Sequence, residues 1–127
     1  MVSQDLIDTI VAAYADFAAG SVDVDGIPFH PRVEWIAPVQ FPYGGTYHGP
    51  NDVRSYLELS RSRWRTLTST VRRIMVNESK VALLVEHRGV RVETDAETSS
   101  WVLEVFEIAG DRIVRIEGFT DTDRGTE

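Results

Sequence analysis

The run WVLEVFEI at 101–108 sets one carboxylic acid, Glu104, among Val102, Leu103, Val105 and Phe106. Removing an ionised carboxylate from water is costly, so burial in such a strand raises its pKa above the ~4.3 of a free Glu. The acid would then stay neutral near pH 7, able to donate a hydrogen bond or a proton. Strand alternation puts Val102, Glu104, Phe106 and Ile108 on one face and Trp101, Leu103 and Val105 on the other. The competing reading pairs Glu104 with a cation such as Arg88 on a wet face, which holds the carboxyl down. The two readings differ in sign.

A second titratable candidate is His87, between Glu86 and Arg88, with alternation turning it away from both. Imidazole changes charge near neutrality, so a pocket-facing His87 could serve as acid or base, whereas a sheet histidine held by its neighbours would do neither. His48 lies in the GTYHG loop and His30 beside Pro31, where histidines are commonly solvent-exposed. The three histidines have no ligand spacing such as HExxH, and the chain has no cysteine, so neither a metal site nor a thiol nucleophile is expected. Gly44, Gly45 and Gly49 lack the strand and GK context of a phosphate loop. Trp35, Tyr43, Tyr47, Tyr56, Trp64, Phe106 and Phe119 supply the aromatic surface for a cavity wall, part of which must be ordinary core.

The elements that would position these groups follow from periodicity. Leu6, Ile7, Ile10, Val11, Tyr14, Phe17 and Ala18 repeat at helical spacing, predicting an amphipathic helix over 5–19 with Ser3 as N-cap and Gly20 as its stop. The segment SVDVDGIPFHPR predicts at most two irregular helical turns around 24–29, ended by Pro31, before a short strand at 33–37. PVQFPYGGTYHGP reads as an ordered irregular loop. Pro50 suits a first helical position, and Val53, Tyr56, Leu57, Ser60 and Trp64 mark one face of a helix to about Arg65. Four strands then follow, over 69–76, 80–90, 97–108 and 112–120, joined by hairpin-forming turns. The order of elements gives the α+β class.

VALLV at 81–85 and WVLEVFEI are apolar on both faces, where a sheet with one wet face should alternate. One face is therefore expected to cover a pocket and the helices, and the other to bury itself against a second copy as a homodimer. At 127 residues, 43% of them hydrophobic, the chain is expected to form a single domain, 1–127. A formal charge of −7 opposes nucleic-acid binding, and the arginines at 54, 61, 63, 65, 72 and 73 read as solvated helix and strand faces. The start MVSQDLIDTIVAAY lacks a basic region, and no apolar run nears the ~20 residues of a membrane span, so the cytoplasm is the expected location.

Four pieces in this order, YADFAAGSVD, HPRVEW, GTYHGPNDVRSYL and WVLEVFEIAGDRIVRIEGFTDTD, resemble the NTF2-like superfamily, and within it the SnoaL-like and ketosteroid-isomerase-like branch. The resemblance implies a cone-shaped α+β barrel, a curved and mostly antiparallel sheet wrapped around N-terminal helices and an apolar pocket, commonly dimeric. The same cone serves isomerases, polyketide cyclases, dehydratases, epoxide hydrolases and non-catalytic binding or dimerisation modules. It implies that Tyr14 and Glu104 stand where the isomerase keeps a tyrosine and a protonated acid as oxyanion donors. It also aligns Trp35 with the isomerase's proton-shuttling Asp, leaving Asp121, His87 or His48 to act as base. Asp121, in FTDTD, falls where SnoaL-like cyclases often carry an acid. An epoxide hydrolase would need an Asp–Arg–Asp cluster, which only Arg88 with Asp121 and Glu104 could imitate. Taken together, the residues and the resemblance predict a cofactor-independent small-molecule protein, its walls formed by Trp35, Tyr43, His48, Tyr56, Trp64, Phe106 and Phe119. Without clustered Lys or Arg, those walls should favour a neutral or weakly polar ring system over phosphate esters.

Overall fold

The computed structural model describes residues 2–120. Helix α1, Gln4–Ala18, starts at Ser3, whose hydroxyl accepts a hydrogen bond from the Leu6 N–H at 3.1 Å. Leu6, Ile7, Ile10 and Tyr14 form its buried stripe. Past the helix end Gly20 takes φ +99°, a left-handed conformation that a side chain would strain. Strand β1, Phe29–Ala37, a short β2, Gly45–His48, and helix α2, Gly49–Ser62, follow. Then come the long strands β3, Trp64–Val76, β4, Lys80–Arg91, β5, Glu97–Ala109, and β6, Arg112–Thr120.

The six strands make one sheet in the order β2-β1-β6-β5-β4-β3. Every neighbouring pair is antiparallel except β1 and β6, which run parallel. The sheet is mixed and does not close on itself: β2 and β3 are its two edges. Fully buried Val33, Val53, Val81, Leu83, Val85, Ile113 and Ile116, with Ile10 of α1, make its core. Each such side chain contributes about 1.5–3 kcal/mol of transfer free energy relative to exposure.

Arg61 binds the helices together. Its guanidinium donates to the carbonyls of Phe17 and Ala18 at the end of α1, each at 3.0 Å, and to that of Trp64 at 2.9 Å. A cation satisfying the last carbonyls of a helix also complements its dipole. Arg54, Arg63, Arg65 and Arg72 each meet a carboxylate, respectively Asp25, Glu93, Asp95 and Glu86.

Four local expectations are corrected. Residues 24–29 make a turn, closed by the Ile27 N–H on the Val24 carbonyl, in place of helical turns. Strand β1 starts at Phe29, accommodating Pro31 in a register irregularity between Phe29 and Glu34. The Gly/Pro-rich loop contains β2, because Thr46 and Tyr47 pair with Ile36 and Trp35 once Gly45, at φ +128°, has turned the chain. Helix α2 ends at Ser62, and Trp64 opens β3, where the contiguous strand overrides the helical spacing of its aromatic residue.

Candidate functional site

Between α1, α2 and the sheet lies a cavity of about 430 Å³, within the size range of small-molecule sites. Its wall includes Trp35 from β1, Tyr43, Tyr56 from α2, Trp64 from β3 and Phe106 from β5. Trp35 packs on both Tyr56 and Phe106, with ring centroids 5.2 Å and 6.3 Å away respectively.

Glu104 enters this cavity from the middle of β5. Its strand neighbours alternate as expected: Val102, Phe106 and Ile108 are buried, while Trp101 is 43% exposed on the other face. The Tyr14 hydroxyl, from α1, donates a hydrogen bond to Glu104 Oε1. Opposite Glu104 on β6 stands Gly118, where a Cβ would lie 3.2 Å from Pro38 Cδ, a tight approach, and at an ordinary contact distance of 3.7 Å from Glu104 Oε2. Burial pushes the Glu104 pKa from 4.5 up to about 7, against the opposing pull of the Tyr14 hydrogen bond. Burial, and after it the charge of Glu104, raise Tyr14 and Tyr56 well above the usual phenol range, so both hydroxyls remain protonated donors. With Oε1 occupied by Tyr14, a proton on Glu104 is carried by Oε2.

His87 stands at the opposite pole. Glu104 is paired with Leu83 and His87 with Ser100, an offset of four residues, or roughly 13 Å, along the strands. The His87 ring shares a 2.7 Å hydrogen bond between Nδ1 and Ser69 Oγ. Burial first, and the positive charge of Arg91 second, lower its pKa to about 4, so the imidazole is neutral at pH 7 and a reluctant base. Arg91, also in the cavity wall, lies over the Trp64 ring at 4.6 Å.

Two residues expected in this wall stand elsewhere. His48 leads into α2 with its side chain 66% exposed and Nδ1 3.4 Å from Glu34 Oε2. Phe119 is 47% exposed on β6, directly after the cavity-facing Gly118, so alternation turns it outward. Asp121 lies outside the described residues. Arg91 and Gly118 were not anticipated. Arg91 falls at the end of β4, where the sequence reads as a hairpin, and only the β5–β6 register shows that a glycine of β6 faces Glu104. Among the described residues no three His, Asp or Glu side chains converge as a metal site, and no helix is long and apolar enough to cross a membrane.

Two helices on an open mixed sheet enclosing a cavity define the NTF2-like class of α+β fold. Residues 10–116 match the SnoaL-like domain family, and the chain belongs to that family. Its fold is similar to that of a putative SnoaL-like polyketide cyclase from Jannaschia sp. CCS1, with a TM-score of 0.81 at 12% identity over 98% of this chain and 91% of that one. An NTF2-like protein of unknown function from Burkholderia pseudomallei K96243 gives 0.81 at 18% identity, over 97% and 95%. TerC, co-crystallised with polyporic acid, gives 0.77 at 20% identity, over 95% of each chain. At these identities the likeness is one of fold. No curated protein sequence matches the chain.

Proposed function

We propose that the cavity takes up a hydrophobic, oxygen-bearing molecule of polyketide, steroid or terpenoid type, and that Glu104 acts on it as a general acid in an isomerase, cyclase or dehydratase reaction. The observation that carries this reading is the buried Tyr14–Glu104 pair, with a carboxyl pushed up to about 7 and open to the cavity. A group titrating near the working pH can both hold and release a proton, and a phenol held in its protonated form steadies negative charge developing on a substrate oxygen. In this reading Tyr14 is the second donor, His87 or Asp121 the proton acceptor, and Trp35, Tyr43, Tyr56, Trp64 and Phe106 the substrate wall. The chemistry calls for no cofactor. The polyketide-cyclase and polyporic-acid names of the structural relatives favour the same ligand class.

A binding module of the same fold is the second reading. It draws on the indole at position 35 and on His87 held near 4, which together leave the described wall poor in effective bases. A thermal-shift screen followed by turnover assays separates the two. Neutral polycyclic ketones and phenols should stabilise the protein, and stabilisation by nucleotides alone would sink both readings. With a hit in hand, Glu104→Gln should keep affinity within a few-fold and cut turnover by roughly a hundredfold or more. A wild-type protein that binds and turns nothing over favours the module.

The outer sheet face supports a homodimer in the same proposal. Trp101 and Phe119 are 43% and 47% exposed there, an apolar surface of the kind that pairs with a second copy. Light scattering should return twice the 14.3 kDa chain mass at micromolar concentration, and Trp101→Asp should shift it toward the monomer. A wild-type monomer would remove the inference.

A further inference from the structure

Among the described residues, Arg91 is the one arginine or lysine that lines the cavity. It keeps the parity of Leu83 and His87 along β4 and stands opposite Trp64 on β3, so its side chain lies on the inner face of the sheet. Its guanidinium rests over the Trp64 ring, 4.6 Å from the centroid, and Trp64 is itself part of the wall. Stacking uses the flat face of the cation and leaves its edge, where all five N–H donors lie, open to hydrogen bonds. Among the described residues no carboxylate pairs with that edge. The acids nearest in the chain are taken, Glu93 by Arg63 and Asp95 by Arg65. Asp16 and Asp23, the wall's acids besides Glu104, are exposed, and neither forms an ion pair with Arg91. His87 adds no second charge, since burial first and the Arg91 charge second keep its imidazole neutral. Arg91 is half-buried, which fixes the stack while leaving the edge within reach of a ligand.

We propose that Arg91 is a ligand-binding residue that takes a carboxylate of the cavity's occupant, at the end of the cavity away from Glu104. The inference rests on the proposed ligand cavity and narrows its substrate class to ring systems that carry one carboxylate. A planar guanidinium matches the two oxygens of that group, and the Trp64 stack holds the plane in place before the ligand arrives. A phosphate ester suits the site less well. Its second charge would meet a single cation, a neutral imidazole and the acids Asp16 and Asp23.

The test uses 2-naphthoate and 2-naphthamide, which share a shape and differ in charge, on the unmodified protein. Heteronuclear NMR follows the arginine Nε–H signals, and that of Arg91 is assigned by its absence from the Arg91→Gln spectrum. Naphthoate should move the Arg91 signal downfield by more than naphthamide does. Arg91→Gln should weaken naphthoate on the order of tenfold and leave naphthamide within about twofold. If naphthoate binds while the Arg91 signal stays put, or if Arg91→Gln weakens both probes alike, Arg91 only packs on Trp64 and the proposal is overturned with the cavity reading intact. If neither probe binds, the cavity reading falls and takes this proposal with it. Should Arg91→Gln not fold, Arg91→Lys serves the assignment, and the wild-type shift still decides.

Discussion

Glu104 and Glu86 lie on neighbouring strands of one sheet, and their exposures are nearly equal, 6% and 9%. Their chemistry is opposite. Glu104 faces the cavity with a phenol for company, and burial drives its pKa up to about 7. Glu86 faces outward, where Arg72 reaches Oε1 at 2.7 and 3.0 Å, Ser99 donates to Oε2 at 3.0 Å, and Arg88 stands 3.8 Å away. Those hydrogen bonds, the Arg72 contact above all, hold its carboxyl below the usual value. Burial alone therefore does not single out a candidate acid; burial without a cation does.

The two acids should differ most in the pH dependence of stability. Folded Glu104 keeps its proton up to about pH 7, whereas the unfolded chain releases it near 4.5. Its contribution is therefore complete below 4.5 and is lost as pH rises through 7. The 2.5-unit gap between those values corresponds to about 3 kcal/mol, or on the order of 10 °C in Tm. Glu104→Gln, neutral throughout, should lack this slope. Melting curves that run parallel for wild type and variant between pH 4.5 and 7 would show that the carboxyl is solvated or paired after all.

Glu86 should give a smaller effect in another window and of the other sign. Because its folded pKa is lowered, its contribution is present above the unfolded value and disappears as pH falls through the folded one. Glu86→Gln should therefore lower Tm by roughly a few degrees at neutral pH, the modest cost of a half-exposed ion pair. Below pH 4.5 the gap should close. A gap that widens in acid contradicts the Arg72 assignment.

Much of the site was legible because strand alternation is a strict rule. Once WVLEVFEI is a strand, Glu104 must share a face with Val102 and Phe106, and the missing cation on that face sets the direction of its pKa. The register between strands was not legible, and register brings Gly118 opposite Glu104 and sets His87 four residues away from it along β4. The β2 strand has no signal in the sequence, because its four residues lie in a Gly-rich loop and owe their conformation to β1, a tertiary effect. His48 and Phe119 were assigned to the wall by their chemical type, and each faces outward for a backbone reason: His48 at a helix start and Phe119 by alternation from Gly118.

The finest test lies within the Tyr14–Glu104 pair. Two causes act on Glu104 in opposite directions, burial raising its pKa and the Tyr14 hydrogen bond lowering it, and burial is the larger. Tyr14→Phe keeps the ring and therefore the burial, and removes only the hydroxyl that favours the ionised form. The Glu104 midpoint, followed by carboxyl NMR, should consequently rise above 7, a smaller move than the rise from 4.5 that burial produces. Removal of a hydrogen bond would then make the acid harder to ionise, the result expected when the phenol serves the anion. A midpoint that falls would mean that water enters the space left by the hydroxyl and solvates the carboxylate better than the phenol did, and the pocket around Glu104 would then have to be wetter than its walls imply.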